Sequence, residues 1–220
     1  ALMALSAVRG NGTPMLFAPS MHSDLFDDPV TTELLDSLRD EGSDIVLDEF
    51  SEGRMKQPNH IQIAANLGRC INKHLPNRKK VAITLGANRA PIDSVRAIQN
   101  ASSGATGWRI AEHLYRMGHD VVCIAGVTSS SSNFVLPSVI RAGTPAAMLS
   151  ACLDVASGMA IWIDDTSGGK PDAWIHAAAV LDYYTDPISG KKPSEDSDWR
   201  LQLAPGPKHI DCRFYPSSAA

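Results

Sequence analysis

Three short apolar runs, Val81 to Thr84, Val121 to Ala125 and Ala173 to Ala178, alternate with longer amphipathic segments, and this alternation constrains the fold most. Strands separated by helices of about a dozen residues form parallel β–α units, because a parallel neighbour needs a crossover that returns the chain to the same edge. The first helix is predicted over Thr106 to Met117, burying Ile110, Ala111, Leu114 and Met117 and stopping at Gly118. The second is predicted over Pro145 to Ser157, through Met148, Leu149, Cys152 and Leu153. The fold class is therefore α/β, a parallel doubly wound sheet with helices on both faces.

A second pattern precedes it. Pro14 to Ala18 and Asp44 to Leu47 read as short strands, and Val30 to Arg39 as a helix with apolar positions Leu34, Leu35 and Leu38 and Gly42 as its stop. Asn59 to His74 is a helix with Asn59 as N-cap and Ile61, Ala64, Ala65, Leu67 and Ile71 near a 3.6-residue period. The polar run Pro76-Asn77-Arg78-Lys79-Lys80 breaks helices and divides the chain into residues 1–76 and 77–220. The chain opens without Met in a helical stretch, Ala1 to Val8, and reads as the middle of a longer polypeptide.

Composition narrows the partners. With 44% hydrophobic and 20% charged residues and a net charge of −4, the chain lacks a broad field for nucleic acid or an anionic membrane, so anion binding must be local. No apolar run approaches the roughly 18 residues that span a bilayer. Cys70, Cys123, Cys152 and Cys212 are scattered without a C-x-x-C pair and read as reduced thiols of a cytoplasmic protein. The histidines show no metal-ligand spacing, so no metal cage is expected.

The loop from Thr84 to Gly107 carries the chemistry. A β–α connection needs only a handful of residues; this one holds Gly86, Arg89, Asp93, Arg96 and Asn100 before Ser102-Ser103-Gly104-Ala105-Thr106-Gly107. Loops at the C-terminal ends of strands are where open α/β sheets bind ligands. Backbone N–H groups at a helix start favour anions, and a guanidinium matches phosphate by a forked hydrogen bond. Asp93 can instead pair with either arginine, leaving one of them structural. A nicotinamide cofactor is disfavoured, since no acidic residue closes the strand Val121 to Ala125. A second constellation is Ala177-Ala178-Ala179-Val180-Leu181-Asp182-Tyr183, with Lys191 and Lys192 beyond it. Small residues there let a ligand approach the backbone; the bland alternative is a strand end followed by a solvated loop.

Two segments resemble a known family. T-L-G-A-N-R-A-P-I-D-S-V-R-A-I-Q-N-A-S-S-G-A-T-G at Thr84 to Gly107 is similar to the phosphopantothenoylcysteine synthetase pattern T-x-G-x-T-R-E-P-I-D-x-V-R-x-I-x-N-x-S-S-G-K-M-G, and Ala177 to Tyr183 resembles its A-A-A-V-x-D-Y signature. The resemblance implies a Rossmann-like domain that joins 4′-phosphopantothenate to cysteine through an acyl-nucleotide made from CTP or ATP with Mg²⁺. It implies Asn100, Arg96, Lys191 and Lys192 as catalytic groups. Gly86, Arg89, Asp93, Ser102, Ser103, Gly104, Gly107, Ala177, Ala178, Ala179 and Asp182 would contact substrate or nucleotide.

The N-terminal part is similar to the end of a flavodoxin-like decarboxylase, through Ala18-Pro19-Ser20-Met21-His22, Asp28-Pro29 and Glu52-Gly53-Arg54-Met55. That likeness implies Pro19, Ser20, Met21 and His22 as flavin-facing residues, with FMN completed by another chain or segment. A homo-oligomer, or a hetero-oligomer with a chain supplying the rest of the decarboxylase, is expected. Ala90 and Ala105 stand where the synthetase pattern has Glu and Lys, and the chain ends soon after Pro207-Lys208-His209-Ile210-Asp211. These departures favour a second reading: a degenerate, non-catalytic subunit of a flavoprotein or ligase-like assembly, or an FMN-binding partner in decarboxylation of phosphopantothenoylcysteine.

Overall fold

Lys80–Leu85 forms the strand around which the larger part of the molecule is arranged, and five of its six residues are buried. The computed structural model describes residues 7–8, 10–48, 50–163, 168–193 and 199–206. These fall into two compact units: residues 1–78, 115–118 and 133–135, and residues 79–114, 119–132 and 136–220. Most of the stretch Ala1 to Val8, the Pro207 to Asp211 segment and Cys212 lie outside the described residues.

The first unit contains β1 (Leu16–Phe17), β2 (Met21–His22), α1 (Ser23–Phe26), α2 (Pro29–Asp40), β3 (Asp44–Ile45), β4 (Phe50–Ser51), β5 (Arg54–Met55) and α3 (His60–Asn72). β1 and β3 pair in parallel, and β2, β5 and β4 form a small antiparallel sheet. Asn59 caps α3 by accepting the Gln62 N–H at 2.9 Å, and Asp28 caps α2 by accepting that of Val30 at 3.0 Å. The apolar periodicity places the helices correctly but not their faces. Leu34, Ile61, Leu67 and Ile71 are exposed, while Ala65, Arg69 and Cys70 form the buried side of α3.

The second unit contains β6 (Lys80–Leu85), β7 (Arg89–Pro91), β8 (Ala97–Gln99), α4 (Ala105–Arg116, whose last two residues fall in the first unit), β9 (Asp120–Ala125), β10 (Val139–Arg141), α5 (Pro145–Ser157), β11 (Ala173–His176), β12 (Tyr183–Tyr184) and β13 (Ala204–Pro205). The main sheet is wholly parallel with order β10-β9-β6-β11. Chain order thus runs from β6 outward through β9 to β10, then returns to β11 on the other side of β6. That reversal creates a switch point between β6 and β11.

Side chains on strands alternate between faces. Ala82, Val122 and Ile124 join Met148, Cys152, Val155 and Trp162 in one cluster against α5. On the other face α4 approaches so closely that a Cβ on Gly107 would lie 2.3 Å from the Leu85 Cβ. The α/β class with helices on both faces is what the alternation predicts. Two features escaped it. The loop after β6 contains the antiparallel hairpin β7–β8, and the edge strand β10 was not predicted because Val139-Ile140-Arg141 is too short to show a period. Met117, expected inside, is exposed because it follows the last turn of α4.

Cys70, Cys123 and Cys152 are free and buried. Burial pushes the Cys123 thiol up to about 12, and burial together with Asp44 pushes Cys70 up to about 11. Among the described residues no helix is long and apolar enough to cross a membrane.

Gly107→Ala should lower stability by about 1–3 kcal/mol through overpacking against β6. Gly10→Ala, with no atom within 4 Å of the new carbon, should stay within about 0.5 kcal/mol. Urea denaturation followed by circular dichroism measures both.

Candidate functional site

The loops leaving β6, β9 and β11 are joined by backbone hydrogen bonds. Ala87 donates its N–H to the Val127 carbonyl at 2.8 Å, and its own carbonyl accepts from Val127 N–H at 2.7 Å. Asn88 N–H donates to the Ala179 carbonyl at 3.1 Å, and Ala179 N–H to that of Gly86 at 2.8 Å. Ala177 N–H continues the ladder to Thr84 at 2.9 Å. Asn100 belongs to the same knot: its Nδ2 donates to the Ala179 and Val180 carbonyls, both at 3.0 Å. Gly86, Asn100 and Ala177 to Ala179 are thus brought together at the switch point.

The S-S-G turn packs on this knot. Ser103 Oγ accepts the Ala105 N–H at 3.3 Å, and the Ser103 carbonyl accepts from Ser130 N–H at 3.1 Å. Gly86 and Gly104 have φ of 81° and 78°, a region that favours glycine. A Cβ on either would lie 2.6 Å from the Thr128 methyl. Their smallness serves close backbone packing around Thr128. Ser102 donates its N–H to the Asn100 carbonyl at 2.9 Å, which shapes the same turn.

The hairpin holds a separate cluster. Asp93 Oδ1 accepts the Val95 and Arg96 N–H groups at 2.8 and 2.6 Å; Oδ2 accepts Arg96 Nη1 at 2.8 Å and the Lys192 N–H at 3.3 Å. The Arg96 backbone N–H is the main cause that holds this carboxyl below its usual 3.8; those of Val95 and Lys192 and the guanidinium add to it, against burial. The guanidinium of Arg96 also lies 5.1 Å from the Trp199 ring centroid, and Lys192 Nζ 6.0 Å from it. Ser94 N–H to Gly190 at 3.1 Å and Ile188 N–H to Ile92 at 2.9 Å fasten the lysine-bearing segment to the hairpin. Asp93 therefore partners Arg96, not Arg89.

Arg89 is different. Its side chain is exposed and has no ion pair among the described residues, while its backbone N–H holds the Gly143 carbonyl at 2.8 Å. It lines a cleft of about 310 Å³ with Pro91, Val95, Arg96, Val127 and Thr144. Thr144 caps α5 by accepting the Ala147 N–H at 3.1 Å. Asp182 and Lys191 are exposed, and the Asp182 carbonyl accepts from Gly206 N–H at 2.7 Å.

Sequence reasoning missed Gly143 and Thr144, although G-T-P before an apolar run is an N-cap signal. It missed Trp199, an aromatic in a charged stretch, and Asn88. That side chain is fully buried, donates to Met148 Sδ at 3.5 Å and leaves Oδ1 without a partner.

In the first unit, Ser20 Oγ donates to the Met55 carbonyl at 3.2 Å, and Pro19 leads into β2. Met21 pairs with Met55 and His22 with Arg54, both of the latter exposed. His22 Nδ1 lies 3.5 Å from Asp24 Oδ2. The pairing puts an imidazole-bearing and a guanidinium-bearing residue at partner positions of β2 and β5.

Comparison with known proteins places these segments in a family. Residues 77–211 match the model of the "DNA/pantothenate metabolism flavoprotein C-terminal domain", and the chain belongs to that family. The chain is 32% identical over 199 residues to the coenzyme A biosynthesis bifunctional protein CoaBC of Thermococcus kodakarensis, covering 90% of this chain and 46% of that protein. It is 32% identical over 186 residues to the same-named protein of Mycobacterium tuberculosis, covering 77% of this chain and 40% of that one. The chain thus spans less than half of these relatives. The DNA/pantothenate metabolism flavoprotein of Streptococcus pneumoniae shares the fold, with a TM-score of 0.50, 22% identity and coverage of 60% of this chain and 62% of that one.

These findings correct the synthetase resemblance. The model matching the Thr84 and Ala177 signatures is described as part of a flavoprotein, so the assignments to a synthetase family and to a phosphopantothenate–cysteine ligase are withdrawn. CTP, ATP and Mg²⁺ go with them. The geometry gives a reason for the overreach: Asn100 and Arg96 fit the pattern, and in the fold each has a structural engagement, with Ala179 and Val180 and with Asp93.

Asp93→Asn should raise hydrogen exchange at the Ser94, Ile188 and Lys192 amides about tenfold or more, leaving β6 and β9 unchanged. A depressed carboxylate pKa contributes stability above its unfolded value, and that contribution is lost as pH falls through the folded value. The same amides should therefore stay protected down to pH 3.8 and open only below it, as followed by NMR across that range.

Proposed function

We propose, from membership in this flavoprotein family, that the chain is a ligand-binding part of a coenzyme A biosynthetic flavoprotein. Its second unit takes a phosphorylated, pantothenate-derived ligand. The observation that supports this is Arg89, a cation without a carboxylate among the described residues, at a cleft walled by Pro91, Val95, Ala97 and Val127. A partly apolar chain ending in an anion matches such a cleft, because apolar contact holds the chain and the guanidinium meets the phosphate. Arg96, neutralised by Asp93, positions the hairpin. Gly86, Ser102, Ser103, Gly104, Gly107, Asn100 and Ala177 to Ala179 shape the switch-point loops next to the hairpin that carries this cleft, and Asp182, Lys191 and Lys192 would meet the ligand from the segment that follows.

The first unit would present Pro19, Ser20, Met21 and His22, with Arg54, to one side of FMN, the other side being supplied by another segment or chain. FMN, when bound, would supply the redox chemistry for decarboxylating phosphopantothenoylcysteine. His22 and Arg54 would bind and orient it, and Ser20 would fix the approaching loop through Met55. Cytoplasmic placement and oligomeric assembly accompany this reading.

Isothermal titration of the chain with 4′-phosphopantothenate and with unphosphorylated pantothenate tests the ligand. The phosphorylated compound should bind more tightly, and Arg89→Ala should weaken it about tenfold or more while leaving pantothenate unaffected. Equal affinity for the two compounds, or binding of neither, overturns the reading.

A further inference from the structure

The four-stranded sheet of the second unit ends at β10, and that edge is open. Cys123 N–H donates to the Ser138 carbonyl at 3.0 Å, and Ala142 N–H to that of Ala125 at 2.8 Å. With the β9–β10 register, these bonds turn the N–H and C=O of Ile140 toward β9. Alternate residues of a parallel strand bond to opposite sides. Val139 and Arg141 therefore turn theirs outward, and none of these groups has a hydrogen-bond partner among the described residues. Beside the start of this edge lies a cleft of about 570 Å³. Pro137, Ser138 and β10 wall it on one side, and Met159, Ile161 and Trp162 on the other. The two sides are tied where Ser138 Oγ donates to the Ile161 carbonyl at 3.4 Å. Met159 and Ile161 are exposed at 67% and 70%, over a buried Trp162.

Charge selects what can occupy this edge. From Val121 to Leu153 the chain has one charged side chain, Arg141, and Met159 to Ile163 have none. The Arg141 guanidinium stands 5.5 Å from the Trp108 ring centroid and has no ion pair among the described residues. The edge thus offers open backbone groups, an apolar cleft at its start and an uncompensated cation at its end. A second copy of this chain would pair β10 antiparallel with itself about a two-fold axis. That pairing brings two Arg141 side chains into one interface, and neither β10 nor the cleft supplies a carboxylate. Charge on an edge strand discourages such pairing. An extended peptide that carries its own carboxylate supplies what the edge lacks.

We propose that β10 is a strand-addition site for an extended acidic peptide of a partner protein. The peptide backbone pairs with the outward groups of Val139 and Arg141, an apolar side chain enters the cleft at Met159 and Ile161, and a carboxylate meets Arg141. Main-chain hydrogen bonds supply affinity in such a mode, and the pocket and the charge supply selectivity. β9 separates this edge from β6, and the proposal is independent of the ligand reading at the Arg89 cleft.

The test titrates the full 220-residue chain into a fluorescein-labelled, amidated peptide, Glu-Val-Thr-Ile-Thr-Val-Glu, and follows anisotropy. Its alternating side chains suit a strand, and its two end carboxylates reach Arg141 in either direction. The peptide should bind, and the Val139 and Arg141 amides should gain protection from hydrogen exchange. The same peptide with Lys in place of Glu should bind at least about fivefold more weakly. Methylating its central backbone nitrogens should weaken binding at least about tenfold, because the ladder is lost. Ile161→Ser should weaken both the Glu and the Lys peptide. Arg141→Gln should erase the preference for Glu over Lys, and Arg141→Lys should keep it. If circular dichroism shows that Arg141→Gln unfolds, the parent in about 0.5 M NaCl takes its place, where screening should erase the same preference. No binding, equal binding of the Glu and Lys peptides, or full binding of the methylated peptide overturns the proposal. So does a dimer of the free chain that already protects the Val139 and Arg141 amides, which assigns the edge to a second copy.

Discussion

Everything at the candidate site depends on backbone hydrogen bonds made just after β6. Ala87, wholly buried, is bridged on one side to Val127 and on the other to Ala179, so three loops meet where the central strand ends. Their closeness excludes side chains: a Cβ on Gly126 would lie 2.3 Å from the Ala87 carbonyl oxygen, and one on Gly86 2.8 Å from that of Val127. Because main-chain groups make the knot, its geometry does not depend on the charges that the synthetase pattern carries at positions 90 and 105. Ala90 is buried inside the hairpin, where a glutamate would need a partner. A likeness in such a loop follows the backbone more closely than it follows the reaction.

The knot also sorts the two arginines. The hairpin places Asp93 where its carboxylate collects three N–H groups and one guanidinium, which fixes Arg96 and the segment reaching Lys192. A charge so compensated has little left for a ligand, since a new anion would compete with a buried carboxylate already in place. Arg89, seven residues earlier on the other strand, faces the cleft beside the start of α5. One arginine builds the wall and the other is available to a guest.

The sequence revealed unequal amounts of this. The parallel α/β class and the cap Asn59 come from short-range signals: period and capping chemistry. What it could not reveal were pairings between distant residues. Nothing local says that Asp93 chooses Arg96 over Arg89, because both are within reach of it along a loop. Only the β7–β8 register, Arg89 opposite Gln99 and Pro91 opposite Ala97, turns one away. Trp199 over Arg96 and Thr128 between two glycines are likewise products of the tertiary fold.

Helices α3 and α5 show what periodicity leaves open. Both carry apolar residues near a helical period and both have side-chain N-caps, yet α5 buries Met148, Cys152 and Val155 while α3 exposes Leu67 and Ile71. The difference lies in what each can cover. α5 lies on a four-stranded sheet whose Val122 and Ile124 meet it, whereas the sheet of the first unit beside α3 offers two parallel residue pairs. A repeat of apolar residues specifies that a face will be covered, and burial of roughly 1.5–3 kcal/mol per large side chain makes the cover worthwhile. It does not specify which polypeptide provides it.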